Sequence, residues 1–266
     1  MKKITKSILA ASALLSSTLS FANPSAYIVY DFKHNQVLEG SNLNTVRPIA
    51  SVTKLMTANV FLKLNNGNSS CFNEINSLDN DTLKGTSTKL PKNVPIPCSE
   101  LLYAMLVSSD NYAASSLSRS IPGVSRERFV QEMNKQASEW GMTNTSFSDP
   151  SGLSPRNVST VANLAILSHH SMKQDVIRNI TNTRSTVVDA NVKKVSFNNT
   201  NALLRNGKYN GLLSKTGFTR EAGYNLVFVN GQSCGDRTIG VISLNNKSSS
   251  ERAGFTDNKL SQYHCN

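Results

Sequence analysis

Beyond its first two dozen residues this 266-residue chain has no apolar run approaching the roughly 18–20 residues that a bilayer-spanning helix requires. A polytopic membrane protein is thereby excluded. Acidic residues are scarce: 17 Asp and Glu stand against 28 Lys and Arg, a formal charge of +11. Charged residues make up 17% and hydrophobic ones 38%, which places the chain among globular rather than disordered sequences. Cysteine is limited to positions 71, 98, 234 and 265. No pair forms Cys-x-x-Cys, so neither a zinc ribbon nor a dithiol redox motif is indicated. Histidine is limited to His34, His169, His170 and His264, with no His-Glu-x-x-His. The adjacent His169 and His170 point to different faces of a helix, so no metal site is expected. There is no G-x-S-x-G elbow of the kind that carries a Ser-His-Asp hydrolase. No nucleic-acid motif, internal repeat or low-complexity tract occurs, and the basic residues are dispersed, so nucleic acid is not an expected partner.

What is present begins with an address. Lys2, Lys3 and Lys6 form a basic start, residues 7–19 are apolar and short, and Ser20-Phe-Ala22 supplies the small residues of a signal-peptidase site. Cleavage after Ala22 is expected, an uncleaved N-terminal anchor being the alternative. Removal of residues 1–22 takes away three lysines and leaves a mature charge of 11 − 3 = +8. The mature chain, 23–266, is then expected in the periplasm with no membrane-spanning segment. A basic exported protein is suited to an anionic polymer or a membrane surface, so peripheral membrane or cell-wall association is a further expectation. In that compartment the four cysteines read as structural disulfides. Three pairings are possible; the sequence-local pairs Cys71–Cys98 and Cys234–Cys265 are favoured.

Residues 27–31 and 36–39 read as strands joined by a turn at His34-Asn35. After Pro48, residues 51–64 are apolar on nearly all sides, which marks a buried helix. A polar stretch of low periodicity follows to Cys98. Helical spacing then returns, with Leu101, Leu102, Met105 and Leu106, and next Phe129, Val130, Met133, Ala137 and Trp140 ahead of Gly141. Another helix is predicted over 161–171. Strands follow at 212–218, 224–229 and 238–244, with Asn230-Gly231 as a turn signal between the last two. A closing helix begins near Ser248. Strands, a buried helix, a helical block and late antiparallel strands predict an α+β fold, an antiparallel sheet flanked by helices with a helical subdomain inserted over roughly 65–185.

Three motifs carry chemistry. In Ser51-Val-Thr-Lys54 the i, i+3 spacing sets an amine over a hydroxyl. A serine needs a base to become a nucleophile, and a buried lysine with a lowered pKa can be one. Alone, the tetrapeptide is better read as an N-cap and a snorkelling lysine. Ser109-Asp-Asn111 follows an apolar segment, but Ser196-Phe-Asn198 and Ser243-Leu-Asn245 share its pattern. Lys215-Thr-Gly217 ends a predicted strand and occurs once; a cation, a hydroxyl and a glycine there can hold a carboxylate. The order of the three is the constellation of serine–lysine acyl-transfer enzymes.

With these motifs in place, the chain resembles the low-molecular-mass penicillin-binding proteins, the serine D-alanyl-D-alanine carboxypeptidases and endopeptidases, whose fold is shared with β-lactamases and transpeptidases. The likeness extends through residues 47–58, Ser108-Ser-Asp-Asn111, Ser151-Gly-Leu153, Asn157-Val-Ser-Thr160, and Lys215-Thr-Gly-Phe-Thr219 with Ala222-Gly223. It is greatest toward the endopeptidase branch, the penicillin-binding protein 7 type, because Phe218 stands where many carboxypeptidases carry His. Because the sequence ends soon after the late strands, the C-terminal β-domain of many carboxypeptidases is not expected.

The resemblance implies that Ser51 attacks a D-Ala carbonyl, Lys54 takes its proton, Ser109 relays a proton to the leaving amine and Asn111 orients Lys54 and the substrate amide. Lys215, Thr216, Gly217 and Phe218 would bind substrate, with Thr216 on its carboxylate. Backbone N–H groups of Ser51 and Phe218 would form the oxyanion hole. Peptidoglycan stem peptides and cross-links are the implied partners, with β-lactam antibiotics as acylating ligands and no cofactor. The polar stretch between Cys71 and Cys98 has no counterpart in that pattern. A carboxypeptidase trimming stem pentapeptides and a non-hydrolytic penicilloyl-binding module are the alternatives. A class A β-lactamase is disfavoured because none of Glu127, Glu132 and Glu139 is followed by Leu-Asn at the required offset.

Overall fold

The computed structural model describes residues 23–80, 86–232 and 235–263. The expected leader, residues 1–22, lies outside the described residues, as does the expected pair Cys234–Cys265.

β1 (Ala26–Asp31) and β2 (Gln36–Ser41) form a hairpin whose turn carries Asn35 at φ +53°. The short 3₁₀ turn Ala50–Thr53 leads into α1 (Lys54–Leu64). The helical block follows as α2 (Cys98–Val107), α3 (Asn111–Leu117), α4 (Arg126–Glu139), α5 (Val161–Met172) and α6 (Asp175–Thr181). A hairpin of β3 (Ser185–Asp189) and β4 (Lys194–Asn198) precedes the late strands β5 (Gly211–Thr219), β6 (Gly223–Asn230) and β7 (Ile239–Asn246). Helix α7 (Ser249–Gln262) comes last.

The main sheet is antiparallel throughout, in the order β2-β1-β7-β6-β5. β1 pairs with β7, with Ala26 opposite Leu244, so the two ends of the domain close on one another. Both faces are covered, which is why the central strands read as unbroken apolar runs rather than an alternation of apolar and polar. Val227, Val229, Ile242 and Leu244 join the helical core on one face. Leu226, Phe228, Ile239 and Val241 meet Phe255 and Leu260 of α7 on the other. α1 is buried continuously from Lys54 to Leu62 and packs against α4 and α5, as a helix apolar on all sides must. Side-chain caps start four of the helices: Asp110, Ser125, Thr160 and Ser248 each accept from a backbone N–H three residues on.

Two expectations change, and one element was not foreseen. The helix predicted from Ser51 is α-helical only from Lys54, because Ala50 is left-handed (φ +48°) and Ser51 lies in a 3₁₀ turn. Asn230-Gly231 does not close a tight hairpin. Gly231 N–H donates to the Asn210 carbonyl (2.8 Å), which draws the chain toward β5, and β7 begins only at Ile239. The β3–β4 hairpin was not expected, although Val188, Val195 and Phe197 repeat with strand period and face inward. In the polar stretch, Cys71 and Cys98 are disulfide-bonded beside a ladder of Phe72-Asn73 with Ile96-Pro97.

Candidate active site

The 3₁₀ turn before α1 is gripped from two sides. A Cβ on Gly152 would lie 2.0 Å from the Ala50 carbonyl oxygen, and one on Gly217 2.7 Å from that of Ile49. Only glycine allows the loop at 149–154 and strand β5 to approach the backbone of Ser51 so closely. Because a 3₁₀ turn has three residues, positions i and i+3 eclipse. Lys54 Nζ accordingly lies 2.9 Å from Ser51 Oγ.

Lys54 Nζ also donates to Asn111 Oδ1 (2.7 Å) and to the Ser151 carbonyl (2.5 Å). A neutral amine has two N–H bonds. The protonated amine donates its third N–H to Ser51 Oγ; once that proton is lost, with Asn111 and Ser151 accepting the other two, the lone pair is left facing the Ser51 hydroxyl. Burial disfavours the charged form and brings Lys54 down to about 7, with the Asp149 and Asp110 carboxylates opposing that fall. The arrangement can therefore take a proton from Ser51 near neutral pH.

Asn111 opens α3, and Ser109 is delivered by the turn between α2 and α3 in a left-handed conformation, φ +64°. That conformation is costly for serine and is held here by the helices on either side. Lys215, buried in β5, donates to Ser109 Oγ (3.0 Å) and to the Thr216 carbonyl (2.9 Å). Burial, followed by the nearby positive charges of Lys54 and Arg252, holds its amine well below the ordinary value. The serines of two hydroxyl–lysine pairs, Ser51–Lys54 and Ser109–Lys215, thus line a common cleft of about 260 Å³, with both lysines buried behind them. Ser51, Ser109, Thr216, Gly217 and Phe218 are among its lining residues. Phe218, 51% exposed, leans on Tyr224 with ring centroids 4.2 Å apart and forms an apolar lip.

All eight predicted catalytic and substrate-binding residues converge here, whereas Ser196-Phe-Asn198 and Ser243-Leu-Asn245 lie on β4 and β7. Glu132 is paired with Arg128 and Glu139 with Lys63; among the described residues no carboxylate hydrogen-bonds Ser51 or Lys54.

Several residues at the site were not anticipated. Thr200 shares a 2.6 Å hydrogen bond with Thr216. Arg252, on α7, reaches through to line the cleft; it donates to the Asn225 carbonyl, and burial lowers it to about 10. Thr88, within the unmatched polar stretch, donates to Asp110 (2.6 Å), so that stretch braces the turn presenting Ser109 and Asn111. None of these three sits in a motif. Each comes from an element remote in sequence, and no local spacing signals it.

The family model described as D-alanyl-D-alanine carboxypeptidase matches residues 16–247. The D-alanyl-D-alanine endopeptidase of Haemophilus influenzae is 50% identical over 252 residues, 95% of this chain and 86% of that protein. The endopeptidase of Escherichia coli is 36% identical, covering 82% of this chain and 70% of its own. A D-alanyl-D-alanine carboxypeptidase of Bacillus subtilis is 31% identical over 71% of this chain and 49% of its own. Among solved structures, the Streptomyces K15 DD-transpeptidase superposes with a TM-score of 0.82 at 25% identity, over 92% of this chain and 98% of that one. Penicillin-binding protein D2 of Listeria monocytogenes in its cefotaxime-bound form gives 0.73 at 28%, over 90% and 96%.

Proposed function

The chain belongs to the D-alanyl-D-alanine carboxypeptidase family of serine peptidases, and from that premise we propose that it is an exported D,D-endopeptidase that opens D-Ala-containing cross-links of peptidoglycan through an acyl-enzyme on Ser51. The observation that carries the reading is the placing of Lys54 Nζ 2.9 Å from Ser51 Oγ, held there by Asn111 Oδ1 and the Ser151 carbonyl.

Ser51 Oγ attacks the D-Ala carbonyl as Lys54 takes its proton. The developing oxyanion is held by the backbone N–H groups of Ser51 and Phe218. Ser109, bonded to Lys215, passes a proton to the leaving amine, and Thr216 meets the carboxylate beside it. Expulsion of the amine leaves an ester on Ser51. Water, deprotonated by the same machinery, then attacks the ester, releases the peptide acid and restores the serine. A β-lactam enters by the same first step, its amide opening without a departing fragment, so the family's inhibitors acylate the same oxygen.

Cross-link cleavage is preferred over terminal D-Ala release on two grounds. The endopeptidase relatives at 50% and 36% identity outscore the carboxypeptidase at 31%, and the exposed Phe218–Tyr224 lip gives a second stem peptide an apolar surface. Residues 1–22 act as the export signal in this reading, and the basic surface concentrates the enzyme on the anionic wall. The test is mass spectrometry of purified cross-linked muropeptide dimers incubated with the mature protein. Conversion of dimers to monomers is expected, and its absence in Ser51→Ala. Release of terminal D-Ala alone would make the enzyme a carboxypeptidase; penicillin acylation with no peptide product would make it a binding module.

A further inference from the structure

The acid next to this site that no motif marks is Asp149, and its hydrogen bonding is unusually complete. Oδ1 accepts from Ser151 N (2.7 Å), Ser151 Oγ (2.8 Å) and Gly152 N (2.6 Å). Oδ2 accepts from Ser154 N (2.8 Å) and Asn157 Nδ2 (2.7 Å). Five donors on one largely buried carboxylate tie residues 149–157 into a single knot. Two features of the site depend on that knot: the Ser151 carbonyl that accepts from Lys54, and the approach of Gly152 to the turn carrying Ser51. Thr57, on the same helix as Lys54, binds the loop from the other side through the Pro150 carbonyl (2.6 Å).

We propose that Asp149 is the positioning residue for Lys54: it locks the Ser151 carbonyl onto the lysine nitrogen, and its fixed negative charge sets the pH at which Lys54 is free to deprotonate Ser51. The inference rests on Lys54 being the base in the reading above.

Three charged groups face Lys54 from the elements around it: Asp149 from the loop, Asp110 from the start of α3 and Lys215 from β5. The two acids differ in how firmly they hold their charge. Burial pushes the Asp110 carboxyl up despite its bonds from Thr88 and Ala113. Burial acts upward on Asp149 too, but the donors from Ser154, Ser151 and Gly152 outweigh it and hold that carboxyl below its ordinary value. Asp149 is therefore the anion that persists wherever the enzyme works. Lys215, positive or neutral, adds no attraction for a proton on Lys54.

The experiment measures the second-order rate of acylation by a fluorescent penicillin across pH 4–9, which reports the ionisation of the free enzyme. Asp149→Asn keeps the side chain's size and removes its charge. Its acid limb is expected to move down by about one pH unit, since an opposite charge at close range shifts a pKa by about 1–3 units. Its plateau is expected to fall roughly 10- to 100-fold, because asparagine cannot accept all five donors and the loop shifts. Asp149→Glu keeps the charge and breaks the knot, so its plateau falls while the midpoint stays. If Asp149→Asn does not fold, the double variant Asp149→Asn/Asn157→Asp retains a hydrogen bond between the pair and moves the charge to position 157; its midpoint also lies below that of the parent. A lowered plateau with an unmoved midpoint in the charge-removing variants makes the role structural and overturns the proposal. A parent enzyme with no acid limb instead overturns Lys54 as base, and the proposal with it.

Discussion

Gly152→Ala puts the geometry of the catalytic turn under direct strain. The added Cβ would stand 2.0 Å from the Ala50 carbonyl oxygen and 2.9 Å from Ser51 N, against a practical minimum of 3.0 Å. Backbone faces backbone, so no side chain can swing aside, and the loop must retreat from the turn by at least 3.0 − 2.0 = 1.0 Å. A misplacement of about 1 Å at reacting atoms costs on the order of 100-fold in rate. Gly152 also sits at φ +86°, where an alanine loses about 1–2 kcal/mol. Gly67→Ala separates the two effects, since Gly67 is equally left-handed (φ +75°) with nothing within 4 Å of its would-be Cβ. The assay pairs penicillin acylation kinetics with thermal unfolding. Both variants should melt a few degrees lower, and only Gly152→Ala should acylate about 100-fold more slowly. Parental acylation by Gly152→Ala would refute the claim that this contact positions Ser51.

For the parent enzyme, acylation should rise with pH through a midpoint near 7, because only neutral Lys54 can accept the serine proton and burial lowers it to about 7; a pH-independent rate from 5 to 9 would contradict this. Replacing Cys71 and Cys98 together by alanine opens a covalent link across 27 positions. By chain-entropy arithmetic this costs about 3–4 kcal/mol, read by urea unfolding; a loss below about 1 kcal/mol would remove the disulfide from the account of stability. Asp79 is fully buried and binds Arg119, Arg126 and Ser115. Asp79→Asn leaves two guanidinium groups without their counter-charge and should cost about 3–5 kcal/mol, which the same unfolding experiment measures. Phe218→Ala should lose cleavage of muropeptide dimers while keeping acylation by a small penicillin; equal losses in both would show that the lip does not read the second peptide.

The parts of the site visible in the sequence were those with local grammar. Ser51 and Lys54 meet because three residues make one turn, a relation that holds in 3₁₀ as in α geometry. Ser109-Asp-Asn111, taken singly, looked no different from its two look-alikes, and it was the order and context of the three motifs together, with Lys215-Thr-Gly217 occurring once, that lifted it. The sheet was legible for a similar reason: strands covered on both faces are nearly unbroken in apolar residues, as residues 224–229 are. Asp149, Thr200 and Arg252 had no such grammar. Asp149 stands just ahead of the Ser151-Gly-Leu153 segment, and an aspartate two residues before a Ser-Gly pair is ordinary turn composition until its five donors are in view. Arg252 reaches the cleft from a helix that pairs with the sheet only after the chain has closed on itself. The missed β3–β4 hairpin did carry a signal, period-two apolar residues either side of Asp189-Ala-Asn191, but it is short and its exposed positions hide the alternation. The turn at Asn230-Gly231 failed for a tertiary reason, the competing bond from Gly231 to Asn210.

The central claim is that Ser51 is the acylated nucleophile and Lys54 its base. The most direct measurement is intact-protein and peptide-mapping mass spectrometry after exposure to benzylpenicillin, with Ser51→Ala and Lys54→Ala alongside. The account predicts a single penicilloyl adduct on the peptide containing Ser51, none in Ser51→Ala, and acylation slowed by several orders of magnitude in Lys54→Ala although the serine remains. An adduct on Ser109, or undiminished acylation without Lys54, would contradict it.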